Sequence, residues 1–467
     1  MGLKSFFRTY HISISLLAIV LLAIVLRLYH LDYQSLWVDE IASMNGTDPG
    51  LPLSSVIAYS KFEQPPLHFI LLHYWFKLVQ FNDFNGRLLA LIFAILGIVA
   101  IFSLAREVRD QKAGLAAALI TSLSYLHIFL SRDVRFYTLL FALTALSYLF
   151  YVRAVKSTKV FDFIFYSFFT TLMVYTHYYG WIVFASQGIL FFLLVLLYPV
   201  KKRFLVSSVL SGLFVVLLIS LWVPVLLSDT RIQNWWVQLE SFYWPIKFFY
   251  VYFKDVFSSV AFASILLFYL LTLYRTFRLN GAIDRTDFLL LGCTVLSFLI
   301  PLTYSFIAQP IFHVRYSIIA LPTLIVLIAT GLRLLKPSLQ RIVLITSCCT
   351  TLFSLIMIEE FYVRLTNEDW RGMIKGVIES AAPTDVFLSD KEWYCNYYFK
   401  NFDSSYRAIF PSQLDLDKQK PAGVWFLEGF DVSPLDSAEV TLLKNGYVRK
   451  KTDSLYRARA TYYFLPP

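Results

Sequence analysis

The chain has 467 residues, of which 58% are hydrophobic, 18% aromatic and only 15% charged. Soluble globular domains hold roughly 45–50% apolar and about 25% charged residues, so a purely soluble protein is excluded. The net charge of +10 is dispersed between apolar blocks instead of forming one basic surface, and no nucleic-acid partner is expected.

The apolar residues fall in blocks of about 20, the length a helix needs to cross the hydrocarbon core of a bilayer. A transmembrane β-barrel would show short alternating segments instead. The first block follows Lys4 and Arg8 and runs straight into Arg27-Leu28-Tyr29-His30. With no small-residue cleavage site, it reads as an uncleaved anchor. Spans are expected at about 12–31, 86–105, 113–131, 134–152, 160–178, 181–199, 204–226, 256–274, 287–306, 316–334 and 342–360. The expected fold class is an α-helical polytopic membrane protein of about 11 helices, with residues 1–360 as its membrane domain.

Several connections are short and basic: Arg106/Arg109/Lys112, Arg153/Lys156/Lys159, Lys201/Lys202/Arg203, Arg275/Arg278/Arg285 and Arg333/Lys336/Arg341. All fall on one side with Lys4 and Arg8, which makes that side and the N-terminus cytoplasmic. An odd number of spans then leaves the C-terminus outside. Trp37, Trp75, Trp181, Trp222, Trp235, Trp236, Trp244, Trp370, Trp393 and Trp425 all fall outside or at the outer interface. Interfacial anchoring is the expected role for most of them.

Beyond residue 360 charges return. Segments 385–390 and 423–428 read as strands and 369–380 as a helix, so residues 361–467 form a small extracytoplasmic α/β domain. Cys293, Cys348, Cys349 and Cys395 make neither a disulfide framework nor a zinc spacing.

Two outer loops are long, about 32–85 and 227–255. The first carries Trp37-Val38-Asp39-Glu40 just past the first span. Adjacent residues on a helix point about 100° apart, so only one of these carboxylates faces a given substrate atom. A solvated, helix-capping acidic pair is the competing reading. Next comes Glu63-Gln64-Pro65-Pro66-Leu67-His68, which reads as the start of a helix lying along the outer interface, because 67–81 is too short to span.

Further ionisable residues sit at outer span ends. Arg87 opens the second span, and Arg132 and Arg135, three residues apart, are expected on one helical face at the start of the fourth. His177 lies before the sixth span, and His313 and Arg315 before the tenth. A single interfacial arginine commonly snorkels to lipid headgroups. Several arginines beside carboxylates suit a bound phosphate or diphosphate. Such a set is equipped to deprotonate a hydroxyl and to let it attack a sugar carbon whose leaving group is a phosphate.

In order along the chain, Trp37-Val38-Asp39-Glu40, Glu63-Gln64-Pro65-Pro66-Leu67, Arg87-Leu88-Leu89, Ser131-Arg132-Asp133-Val134-Arg135-Phe136-Tyr137, Tyr175-Thr176-His177-Tyr178 and Arg315-Tyr316 with Pro322 resemble the GT-C type membrane glycosyltransferases. The likeness is to the family 39 group, the dolichyl-phosphate-mannose–protein mannosyltransferases and their bacterial relatives, with the lipid A aminoarabinose transferases as cousins. It covers roughly residues 27–335. Asp369-Trp370-Arg371 also looks like the opening of the soluble tail of many bacterial members.

The resemblance implies an outward-facing site, a polyprenyl-phosphate-linked sugar donor and inversion at the anomeric carbon. By matching position it implies Asp39 as general base, with Glu40, Glu63 and His177 organising the site. Arg135 and Arg315 are the first candidates for the donor phosphate, followed by Arg87 and Arg132. Gln64 stands where the aminoarabinose transferases carry a lysine, which removes a lysine–phosphate contact there. Some relatives use a metal; Glu63 and His177 have the chemistry to ligate one, but no compact ligand motif accompanies them, so no metal is required. The acceptor is expected to be a hydroxyl of an exported protein or an envelope glycolipid.

Two other functions fit a polytopic outward-facing chain. A flippase or transporter of a lipid-linked sugar would place polar residues and broken helices near the midplane. A polysaccharide polymerase or ligase would carry its arginines in a long late loop, whereas the carboxylates here are in the first loop. A non-enzymatic scaffold gives no reason for the carboxylates and arginines to gather on one side. Short cytoplasmic loops and the tail type point to a bacterial cytoplasmic (inner) membrane.

Overall fold

The computed structural model describes residues 3–228, 237–416, 420–429 and 436–467, so Trp235 and Trp236 lie outside the described residues. The chain divides into two compact units. The first comprises Met1–Tyr29, Leu51–Trp75 and Arg87–Phe361, and the second His30–Gly50, Phe76–Gly86 and Tyr362–Pro467.

Hydrocarbon offers no hydrogen-bond partner to a peptide group, so helices that satisfy their own backbone dominate. Among the described residues eight helices are long and apolar enough to cross a bilayer: His11–Leu28, Asp83–Val108, Tyr137–Ser157, Tyr178–Leu197, Lys202–Ser220, Val256–Asn280, Arg285–Ile307 and Pro337–Ile358. This is a multi-pass membrane protein. Three of the eleven expected spans are shorter. The third breaks at Ser124, whose backbone is extended (φ −61°, ψ 117°), into helices Gln111–Leu123 and Tyr125–Leu130. The Ser124 hydroxyl donates to the Tyr252 carbonyl at 2.8 Å, an example of a helix break accommodated inside protein. The fifth is the helix Val160–Val174, and the tenth is a 3-10 turn, Tyr316–Ile319, followed by Leu321–Leu332.

Every residue of Leu321–Leu332 is buried. A side chain at Gly331 would come within 2.9 Å of Tyr269 Cβ and 3.0 Å of the Ile265 carbonyl. Helix pairs in lipid gain from such close approach at small residues. Leu210, Leu213, Leu217, Val260 and Leu267 are exposed, as lipid-facing surfaces require.

The second unit contains a five-stranded mixed sheet in the order β2-β1-β3-β5-β4. Its strands are β1 Val386–Leu388, β2 Ala408–Ile409, β3 Gly423–Gly429, β4 Val448–Leu455 and β5 Ala458–Phe464. β1 runs parallel to β2 and β3, whereas β5 pairs antiparallel with both β3 and β4. A parallel neighbour needs a crossover, and the helix Glu392–Asn401 supplies it between β1 and β2. β4 is an edge strand carrying Arg449, Lys450 and Lys451, charges that oppose pairing with a foreign strand. The expected helix is present as Trp370–Ser380, and the two expected strands as β1 and β3.

Trp370 and Trp425 are buried within the second unit and serve as core residues there. Trp425 lies on β3, its indole N–H donates to Asp385 Oδ2 at 3.0 Å, and its ring lies 4.8 Å from that of Tyr462. Trp425→Ala empties this space and leaves the Asp385 acceptor without that donor. It is expected to destabilise the unit by about 3–5 kcal/mol. Limited proteolysis across a temperature series should show residues 362–467 cleaved at lower temperature than in the wild type.

Candidate active site

Asp39 and Glu40 belong to the second unit, on the nine-residue helix Val38–Gly46. Glu40 is fully buried and its Oε2 accepts the Trp37 N–H at 3.2 Å, so this carboxylate caps its own helix. Asp39 is half-buried, and its backbone carbonyl accepts the Ser43 hydroxyl at 2.9 Å. The pair therefore divides: one carboxylate closes the helix start and the other stands about 100° around the helix from it.

The remaining candidates belong to the first unit. Just after Pro65 and Pro66, the Leu67 N–H donates to the Tyr175 carbonyl at 2.9 Å, and Gln64 Oε1 accepts the Tyr178 N–H at 3.3 Å. These bonds seat the Glu63 turn against the start of the helix Tyr178–Leu197. Gly180 permits a close approach there, since a side chain would reach within 2.5 Å of the Met173 carbonyl.

Arg135 Nη2 and Glu63 Oε2 form an ion pair at 3.5 Å, with the Arg135 side chain 6% and the Glu63 side chain 28% exposed. The Arg135 guanidinium also lies 4.8 Å from the Phe136 ring centre. Phe136 packs 4.4 Å from the His177 ring, which is 5.4 Å from Tyr316, itself 4.9 Å from Tyr179. Glu63, Arg135 and His177 thus converge around one aromatic stack. A pocket of about 310 Å³ opens beside it, lined by Glu63, Gln64, His177, Tyr179, Tyr304 and Tyr316 among others.

His177 caps the Tyr178–Leu197 helix, its Nδ1 accepting the Tyr179 N–H at 3.0 Å. Burial, and then the Arg135 charge, hold its pKa well below the usual histidine value. A neutral ring accepting at Nδ1 carries its proton on Nε2. That Nε2 is buried with no hydrogen-bond partner among the described residues.

The other arginines are placed differently. Arg132 and Arg135 lie in the non-helical turn 131–136, because the helix starts only at Tyr137, so the shared helical face expected for them does not exist. Arg132 stacks over Phe361 at 5.2 Å, away from the ring that Arg135 covers. Arg87 is buried, and Arg315 is half-buried with its N–H donated to His313 Nδ1 at 3.3 Å. The next residue, Tyr316, belongs to the aromatic stack.

Phe136, Tyr179, Tyr316 and His68 carried no assigned role in the sequence, although the first three adjoin or lie close to residues that did. His68 is buried against Phe69 and Phe136 at 5.5 and 6.0 Å. No three His, Cys, Asp or Glu side chains converge on a metal-sized site among the described residues. Glu63 Oε2 faces Arg135, and His177 Nδ1 accepts a backbone N–H.

The family model for dolichyl-phosphate-mannose-protein mannosyltransferase matches residues 63–227. ArnT from Cupriavidus metallidurans superposes with a TM-score of 0.63 at 12% identity, covering 96% of this chain and 97% of that one. The fold is the ArnT-like GT-C fold. ArnT has also been solved bound to undecaprenyl phosphate, and that structure superposes with a TM-score of 0.62.

The archaeal oligosaccharyltransferase AglB from Archaeoglobus fulgidus, in complex with an inhibitory peptide and a dolichol-phosphate, matches with a TM-score of 0.56 at 10% identity, over 97% of this chain and 74% of that one. The mycobacterial arabinofuranosyltransferase AftD gives 0.57 at 11% identity, over 98% of this chain and 40% of that one. No curated protein matches the sequence. Within this GT-C fold the family match takes in Glu63, Arg87, Arg132, Arg135 and His177, and it leaves Asp39, Glu40 and Arg315 outside.

His313 gives a pH signature. Burial first, then Arg315 and Lys247, push its pKa down to about 4. Between the usual value of about 6.5 and that level, the unfolded chain takes up a proton that the folded chain refuses. Stability is therefore lost as pH falls through this window. Melting temperature in detergent should drop from pH 7 to 4.5 less steeply in His313→Gln than in the wild type; equal slopes would contradict the assignment.

Proposed function

We propose that this chain is an inverting glycosyltransferase that moves a sugar from a polyprenyl-phosphate-linked donor to a hydroxyl acceptor at the outer face of a bacterial inner membrane. The observation that carries the reading is the ion pair of buried Arg135 with half-buried Glu63, beside His177 and the pocket, in an ArnT-like fold. The acceptor class is an exported protein or an envelope glycolipid.

The acceptor hydroxyl gives its proton to the Asp39 carboxylate as its oxygen attacks the anomeric carbon from the face opposite the phosphate. The bond from that carbon to the phosphate oxygen breaks, and its electron pair stays on the departing oxygen. Polyprenyl phosphate leaves with one more negative charge than it carried as a diester. Arg135 and Arg315 meet that growing charge, with Arg87 and Arg132 as further cations. A buried guanidinium is most effective where charge develops away from water. The His177 Nε2–H, otherwise without an acceptor among the described residues, supports a hydrogen bond to a donor oxygen. Glu63 orients Arg135, and Glu40 fixes the helix that carries Asp39.

Sugar transfer in membranes supplied with polyprenyl-phosphate sugars and an envelope extract tests the reading. Asp39→Asn should lose about 10²–10⁴ in rate with donor binding intact, the usual worth of a general base. Full activity in that variant would sink the mechanism. Arg135→Ala should raise the donor KM at least tenfold, and an unchanged KM would remove Arg135 from the donor site.

A further inference from the structure

The helix bearing Asp39 has nine residues, too few to hold a fixed direction by itself. Within the second unit, each of the five residues 32–36 leading into it is hydrogen-bonded to the tail. Arg371 Nη2 donates to the carbonyls of Asp32 and Tyr33 at 2.7 and 2.8 Å. Gln34 Oε1 accepts the N–H groups of Thr366 and Asn367 at 2.8 and 3.0 Å. The Ser35 hydroxyl donates to Asp369 Oδ1 at 2.9 Å and accepts the Arg371 N–H at 3.2 Å, while the Ser35 carbonyl accepts Asn367 Nδ2 at 2.9 Å. The Leu36 N–H donates to the Tyr398 hydroxyl at 2.8 Å, one residue before the Trp37 cap.

Asp369 Oδ1 also accepts the Gly372 N–H at 2.9 Å, and Arg371 Nη1 reaches Asp83 at 3.5 Å. One carboxylate therefore both caps the Trp370–Ser380 helix and holds the serine ahead of the Asp39 helix.

The geometry points to Ser35, Asp369, Arg371 and Tyr398 as positioning residues that aim the Asp39 carboxylate. The tail is thus part of the catalytic apparatus through its grip on residues 32–36. This rests on the reading of Asp39 as general base. Carboxylate direction enters the proton-transfer step and not donor binding, so the effect belongs in kcat. A small misplacement of a reacting group costs on the order of 10²-fold.

The experiment uses full-length protein in membranes and single-atom deletions. Ser35→Ala and Tyr398→Phe each remove one hydroxyl, and Ser35→Thr keeps it. The expected result is a kcat about tenfold to hundredfold lower in the two deletions. Donor KM should stay within about twofold, and Ser35→Thr should recover most of the rate. In an Asp39→Asn background neither deletion should lower the residual rate further.

Wild-type kcat in both deletions beside an inactive Asp39→Asn would overturn the positioning role and leave the base assignment standing. The same fractional loss with and without Asp39 would also overturn it, because the bonds would then serve folding alone. Full activity in Asp39→Asn would reject the base and the positioning role together, and it is recognised from that single variant.

Discussion

A guanidinium retained at 6% exposure among aromatic rings must be answered by charge or by hydrogen bonds, and that requirement at Arg135 orders the first unit's candidate site. Leaving such a group unpaired costs several kcal/mol, more than most single contacts return. Glu63 supplies the opposite charge and the Phe136 face a favourable quadrupole. Two buried histidines nearby, His68 and His177, are held neutral first by their burial and then by the positive charge of Arg135. In so buried a setting the Arg135 charge acts on Glu63 more strongly than it would in water.

The surrounding helices exist to make that burial tolerable in lipid. Each satisfies its own peptide groups, and at the Ser124 break the freed side chain donates to the Tyr252 carbonyl of another segment. The backbone irregularities at 124, 131–136 and 316–319 are therefore enclosed by protein. Two of them hold Arg135 with Phe136, and Tyr316, and the Phe136 and Tyr316 rings both pack against His177.

Much of this was legible in the sequence. Hydropathy locates all eight long helices of the membrane domain, because an unbroken apolar run of about 20 residues is what a bilayer's thickness demands and a soluble core does not. The divergence of Asp39 and Glu40 followed from helical pitch alone. The relation of Arg132 to Arg135 did not: the spacing suited a helix, but these residues occupy a turn whose shape depends on packing with Phe136 and Phe361. β4 was hidden because an edge strand can afford Arg449-Lys450-Lys451 where an inner strand could not. The bonds from Arg371 to Asp32 and Tyr33 left no trace, since pairing between residues more than 300 positions apart imposes no local periodicity.

That long separation bears on the order of assembly. The second unit is discontinuous, with residues 30–50 made early and 362–467 made last. Ser35 and Leu36 emerge from the ribosome long before Asp369 and Tyr398 exist to receive them. Closing so large a loop costs little more than closing one of half its length, so equilibrium stability hardly suffers. Timing does: contacts between distant parts of a chain form late. The segment 32–36 ahead of the Asp39 helix gains these hydrogen bonds only once residues 366–398 have been synthesised and folded.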